Sequence, residues 1–283
     1  MPLPAGFDLG QTCGPVAWAG GRWPDMDWRD GELISVGWQE ERVVWRQVRQ
    51  RGEQLVIVGS APAAADEDWA SRVLGLGMPT PVFDDPIMQE LALRFSGLRP
   101  FSMGSLYVGL LTSIVGQSIS VAAAIAQTKL AALFSDPVPL AGREFRPLPR
   151  AEQLAAADPA LVRTSGVTNR RAAALVAIAG VAARAELPAM ADAVTDPEGV
   201  EAALRDLPLV GPWTARSALL WGTAAPDAHP TGDVALLRAA RLAYGMSALD
   251  LRGLDALSDA WRPARGFAAR LLWTDLLGVA PSP

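Results

Sequence analysis

LRDLPLVGPWTARSALLWGTAAPDAHPTGDVALLRAARLAY, residues 204–244, is the stretch whose reading decides the fold. It reads as helix, tight hairpin, helix, irregular loop, helix. Leu207-Pro208-Leu209-Val210-Gly211 is a short breaker segment between two helical patterns. Pro212 takes a first helical position, where its missing N–H costs nothing, and the helix runs on to Trp221. After Pro230-Thr231-Gly232, Asp233 stands at the head of the next helix. A tight hairpin that opens a helix aims several backbone N–H groups one way, and these can hold a phosphate oxygen. The Asp233 carboxylate would then face whatever that phosphate positions. The same residues equally describe a plain helical packing unit with Asp233 as an N-terminal cap, and the local pattern leaves both readings open.

Composition narrows the class. A chain of 283 residues, half of them hydrophobic and many of them alanine, can bury a real core of packed helices in one large or two to three small domains. No apolar run reaches the roughly 18 residues a bilayer span needs, and MPLPAGFDLG has neither a basic segment nor an apolar signal core, so a cytoplasmic, membrane-free protein is expected. A single cysteine, Cys13, excludes an intrachain disulfide and a four-cysteine zinc or iron–sulfur site. A single histidine, His229, argues against a histidine-rich metal centre. The net charge of −5 is unlike that of a protein tracking many phosphates with side chains. Backbone N–H groups at a hairpin bind phosphate without net positive charge.

Outside the deciding stretch the chain changes character near residue 80. Glu32–Gln39, residues 43–48 and residues 54–58 are short apolar or alternating runs punctuated by Gly20-Gly21, Asp30-Gly31 and Arg51-Gly52, the pattern of an antiparallel meander. Residues 61–66 read as a linker and 68–75 as a short helix. Trp18, Trp23, Trp28, Trp38 and Trp45 lie here as packing residues, one of them a candidate for the rim of a ligand site. From Asp84 the pattern is helical: 87–95, 104–117, 120–134, 151–163, 169–184 (capped by Thr168 or Asn169), 198–206, 233–243, 254–261 and 265–278. Residues 136–149, with four prolines, read as a loop.

LPLVGPWTA followed by PTGD resembles the hairpin and Gly/Pro-rich loop with Asp of the helix-hairpin-helix (HhH-GPD) DNA glycosylases, and within them the bacterial 3-methyladenine DNA glycosylase II family. The resemblance implies a mainly α fold: a two-lobed helix-hairpin-helix glycosylase core over residues 81–283, with lobes of roughly 105–225 and 81–104 plus 226–283, and an N-terminal antiparallel α+β domain over 1–80. It implies a monomeric enzyme that flips damaged bases out of duplex DNA. It makes Asp233 the catalytic carboxylate and places Trp213, Trp273, Ser217 and Tyr107 around the substrate. Gln117, Ser118, Ile119, Val210, Gly211 and Thr214 would meet DNA. The carbonyls of Arg205, Leu207 and Val210 would hold a structural monovalent cation, sodium or potassium, with no cofactor required.

The sequence also departs from that family. Bifunctional relatives carry a lysine nucleophile in the helix after the hairpin; residues 212–221 contain none, and Lys129, the chain's one lysine, lies on a different, alanine-rich helix. A hydrolase without strand cleavage is expected. Ser217 stands where a tyrosine is usual, and Leu209 where glycine is usual. In Ile114-Val115-Gly116-Gln117-Ser118-Ile119 the wedge position holds Ser118, too small to fill a vacated base site, which leaves Gln117 or Ile119 as alternatives. Asp227 is a secondary carboxylate, and Arg170 and Arg171 read either as phosphate contacts or as a solvated helix start. Excision of alkylated purines is the expected activity. Excision of oxidised or deaminated bases, binding of damaged DNA without cleavage, and a small-molecule site in an apolar cleft are the alternatives.

Overall fold

The computed structural model describes residues 1–117 and 120–280. Ser118 and Ile119, the expected DNA-contacting pair, lie outside the described residues. Two short helices, α1 (Leu9–Thr12) and α2 (Gly14–Ala19), precede an antiparallel meander of β1 (Met26–Arg29), β2 (Glu32–Gln39), β3 (Arg42–Arg51) and β4 (Gln54–Gly59), which lie side by side in that order. Asp30 and Gly31, both at positive φ, make the tight β1–β2 turn that a twisted hairpin requires. Helix α3 (Ala63–Val73) closes this unit. It begins within the segment read from sequence as a linker, because Pro62 pre-sets its first turn and Asp66 is drawn inside. There Asp66 Oδ1 accepts from Arg46 Nε of β3 at 2.7 Å, both side chains being buried.

The sheet is covered on both faces. Leu33, Val48 and Leu55 pack with Val16, Val73 and Leu74 in one hydrophobic cluster, to which Phe101 and Ala280 from the later chain also contribute. Ile34 and Val36 pack on Phe145 in a second cluster. Phe145 belongs to a two-stranded hairpin, β5 (Val138–Leu140) and β6 (Arg143–Phe145), within the region read as a loop. Pro137 precedes β5 and Pro147 follows β6, while Pro139 is the middle residue of β5 opposite Glu144, tolerated because this two-stranded hairpin has only edge strands.

The helical part comprises α4 (Pro86–Arg94), α5 (Leu106–Gly116), α6 (Ser120–Ala132), α7 (Ala151–Ala155), α8 (Pro159–Arg163), α9 (Asn169–Ala183), α10 (Asp192–Thr195), α11 (Pro197–Arg205), α12 (Pro212–Thr223), α13 (Val234–Ala243), α14 (Leu251–Ser258) and α15 (Arg265–Leu277). Residues 151–163, expected as one helix, form two, because Asp158-Pro159 caps and restarts the chain. α5 and α11 pack on α12, α6 and α9 pack on α5, and α7 and α8 pack on α9, while α4 and α13 pack on α15 and α14 on α13, which gives the two-lobed arrangement. No helix among the described residues is long and apolar enough to cross a membrane.

The larger lobe is fixed by the crossing of α5 on α12, where Gly109 faces Gly222. A Cβ on Gly109 would stand 2.6 Å from the Ala218 carbonyl oxygen and 2.8 Å from the Gly222 Cα. Only backbone is in the way, so the helices must separate to admit a methyl group. Gly109→Ala should therefore destabilise the fold by about 1–3 kcal/mol, read as a drop in Tm of about 2–4 °C per kcal/mol. An unchanged Tm would contradict this packing.

Candidate active site

The hairpin is built from the end of α11. Leu207 N–H donates to the Leu204 carbonyl and Val210 N–H to the Leu207 carbonyl. Leu209 between them sits at φ 61°, a left-handed conformation that costs a non-glycine residue about 1–2 kcal/mol. What holds it there is Gln117 at the end of α5. Its Nε2 donates to the Leu209 carbonyl at 3.1 Å and to Thr214 Oγ1 at 2.8 Å. Arg171 Nη2 in turn donates to the Gln117 carbonyl at 2.8 Å. Gly211 is extended (φ −89°, ψ −179°) and no side chain caps α12. A Cβ at Gly211 would meet no protein atom within 4 Å, so the head of this helix opens outward. Thr214, expected at a DNA surface, is instead buried with its hydroxyl engaged by Gln117. Val210 is buried as well.

Trp213, Ser217 and Trp221 recur at four-residue spacing on α12 and line one face. That face walls a cleft of about 340 Å³, with Trp273 and Leu277 of α15, Asp233 at the head of α13, Thr112, Ser113 and Gly116 of α5, and Met103. Trp18 and Trp23 close it from the N-terminal unit, and Trp18 Nε1 donates to the Gly278 carbonyl just past α15 at 2.7 Å. Trp221 stacks on Trp273 with ring centroids 5.4 Å apart and planes 21° from parallel. The Arg270 guanidinium lies over Trp221, 4.7 Å from its centroid, fully buried, and burial lowers its pKa to about 9.

Asp233 is both a cap and a cleft residue. Its Oδ1 accepts from Leu236 N–H at 2.7 Å. The Ala235 N–H and the Trp273 side chain also act on the carboxyl and lower its pKa. Burial dominates and holds the carboxyl above the ordinary aspartate range; these donors and nearby His229 pull it back down. The result is a partly desolvated carboxylate aimed by fixed donors into an aromatic cleft, an arrangement that stabilises a neighbouring cation.

Other expected residues fall elsewhere. Tyr107 is outside the cleft: it is about 140° around α5 from Thr112, at 100° per residue, and its hydroxyl donates to the Pro149 carbonyl at 3.2 Å. Burial pushes that hydroxyl's pKa upward. Asp227 is consumed by Arg265, 2.7 Å away, and Arg262, 3.2 Å away. His229 Nε2 lies 2.9 Å from Asp255 Oδ1. Trp221 was missed although it continues the spacing of Trp213 and Ser217. Trp18 and Trp23, two of the five tryptophans among which one rim residue was expected, reach the cleft through docking of the N-terminal unit, and Met103, whose N–H donates to the Trp221 carbonyl at 2.6 Å, carries no local signal. Among the described residues no group of three or more His, Cys, Asp or Glu is placed to hold a metal ion.

No family model matches the chain. It is 34% identical over 166 residues to the "Probable bifunctional transcriptional activator/DNA repair enzyme AlkA" of Mycobacterium tuberculosis, covering 58% of this chain and 32% of that protein. It is 32% identical over 168 residues to "DNA-3-methyladenine glycosylase 2" of Escherichia coli K12, covering 57% of this chain and 54% of that one. The chain thus spans about a third to about half the length of these relatives. Among solved structures, the 3-methyladenine DNA glycosylase of Archaeoglobus fulgidus superposes with a TM-score of 0.78 at 21% identity, covering 98% of each chain. In sequence over its matched part, and in fold throughout, the chain resembles the 3-methyladenine DNA glycosylases of the helix-hairpin-helix superfamily.

The raised pKa of Asp233 has a consequence for stability. Below the ordinary aspartate range the group is protonated in both folded and unfolded chains and carries no penalty. As pH rises through that range the unfolded chain ionises first, so stability falls until the folded carboxyl ionises too. Asn retains a capping oxygen without the charge. Asp233→Asn should therefore be more stable than the parent at pH 7, with the advantage vanishing at acidic pH. Thermal melts from pH 3 to 7 check this, and a variant less stable at neutral pH would contradict it.

Proposed function

We propose that this chain is a monofunctional DNA N-glycosylase that flips alkylated purines of the 3-methyladenine and 7-methylguanine type out of duplex DNA and hydrolyses their N-glycosidic bond in base excision repair. The observation that carries the reading is the Asp233 carboxylate, held by the Leu236 N–H at the wall of a tryptophan-lined cleft that includes Trp273. An alkylated purine is cationic, so stacking on such rings gains roughly 0.5 to 2 kcal/mol of cation–π attraction. Its positive charge also makes it a good leaving group. The electron pair of the glycosidic bond departs with the base, the sugar becomes oxocarbenium-like, and water adds at C1′. Asp233 stabilises that sugar cation and orients the water. His229 and Asp255 are paired with each other, and Asp227 with arginines, so neither supplies a competing carboxylate.

The hairpin would receive the DNA backbone at the outward-opening head of α12. The carbonyls of Arg205, Leu207 and Val210 would hold a monovalent cation beside it. The Leu207 carbonyl already accepts one N–H, and a carbonyl oxygen has a second lone pair to offer. Hydrolysis without strand cleavage follows from amine chemistry: the cleft lining includes no lysine, and Lys129 faces a different groove. The protein would act as a cytoplasmic monomer.

Single-turnover base release from duplexes carrying one 3-methyladenine, 7-methylguanine or hypoxanthine tests the reading. The parent should release an alkylated base and leave an intact strand with an abasic site. Borohydride should trap no covalent adduct. Asp233→Asn should lose about 10²-fold or more in rate. Binding without release would instead favour a non-catalytic damage-binding protein, and a trapped adduct would exclude the monofunctional mechanism.

A further inference from the structure

Beside the aromatic cleft lies a second groove of about 510 Å³. The same elements separate and line the two. On α6, Gln127 lines the cleft while Ile125 and Lys129 line the groove; in the N-terminal unit, Trp23 lines the cleft while its neighbour Arg22 lines the groove. Arg143 and Arg146, from the β5–β6 hairpin and just past it, complete the groove, with Glu144 as its one acidic residue. Four cations thus converge in a chain whose net charge is −5.

Compensation for these charges is incomplete. Arg143 lies 3.1 Å from Asp27. Among the described residues Arg22, Arg146 and Lys129 have no carboxylate partner: Arg22 Nη2 donates to the Trp18 carbonyl at 3.0 Å and Arg146 Nη1 to the Ser135 carbonyl. Those contacts position the guanidinium groups without neutralising them. Arg22 and Lys129 are exposed. A groove with this excess of positive charge, flanking a cleft for a flipped nucleotide, matches the sign of a phosphodiester backbone.

Resting on the glycosylase reading, we infer that the groove between α6 and the β5–β6 hairpin is a second DNA-backbone contact, separate from the α11–α12 hairpin. It lets an acidic protein grip the strand next to the flipped base with side chains, where the hairpin offers backbone N–H groups. Each phosphate contact contributes about 0.9 to the slope of log affinity against log salt.

The test is the salt dependence of binding to a duplex carrying a stable abasic-site analogue. For Arg22→Gln/Lys129→Gln the slope should become less steep by about 1 to 2, with weaker binding at every salt concentration. Lys129→Glu alone should move it the same way. Arg42→Gln/Arg51→Gln, which removes two exposed charges from the sheet outside the groove, should leave the slope unchanged. Base release by the parent together with an unchanged slope in the groove variants would overturn the groove and leave the glycosylase reading standing. Failure of the parent to bind duplex at low salt would overturn both.

Discussion

A carboxylate kept partly out of water is the constraint on which the rest of this structure depends. Left alone at that depth Asp233 would simply protonate. It is kept usable by the Leu236 N–H in the first turn of α13, which donates to it at 2.7 Å, and by the nearby Trp273 side chain on α15, which also lowers its pKa. The dipole of α13 adds its positive end at the same place. Moving either helix by an ångström would break this balance, so the packing of α13 on α15 is part of the site as much as of the core.

The hairpin side shows the same economy. Gln117, Thr214 and the Leu209 carbonyl form one hydrogen-bonded knot that joins the end of α5 to the start of α12. The knot maintains Leu209 in a backbone conformation that leucine does not choose. The close crossing of Gly109 on Gly222 then carries the same two helices to the far end of the cleft. Hairpin and cleft are thus two ends of one rigid α5–α12 pair. The N-terminal unit completes the arrangement, since Trp18 is tied to the end of α15 while its ring walls the cleft.

Much of this was legible in the sequence, for identifiable reasons. The breaker at 207–211, Pro212 at a helix start and Asp233 as a cap are local rules, and they place α11, α12 and α13 within a few residues. Ser217 and Trp213 reach the cleft because they share a helical face. Tyr107 does not, because its angle around α5 turns it toward Pro149, and helix assignment alone does not choose a face. The β5–β6 hairpin escaped notice because its prolines read as loop, and only the docked sheet shows what Phe145 covers. Trp18 and Trp23 could not be assigned from sequence, since their role depends on the contact between units far apart in the chain.

The most direct measurement of the central claim compares two duplexes, one carrying a cationic pyrrolidine and the other a neutral tetrahydrofuran in place of the target sugar. If Asp233 stabilises a sugar cation, the parent protein binds the pyrrolidine duplex at least about tenfold more tightly, roughly 1.4 kcal/mol, and Asp233→Asn loses that preference while binding the neutral duplex as before. Equal affinity for both analogues, or a preference that survives in Asp233→Asn, would contradict the account.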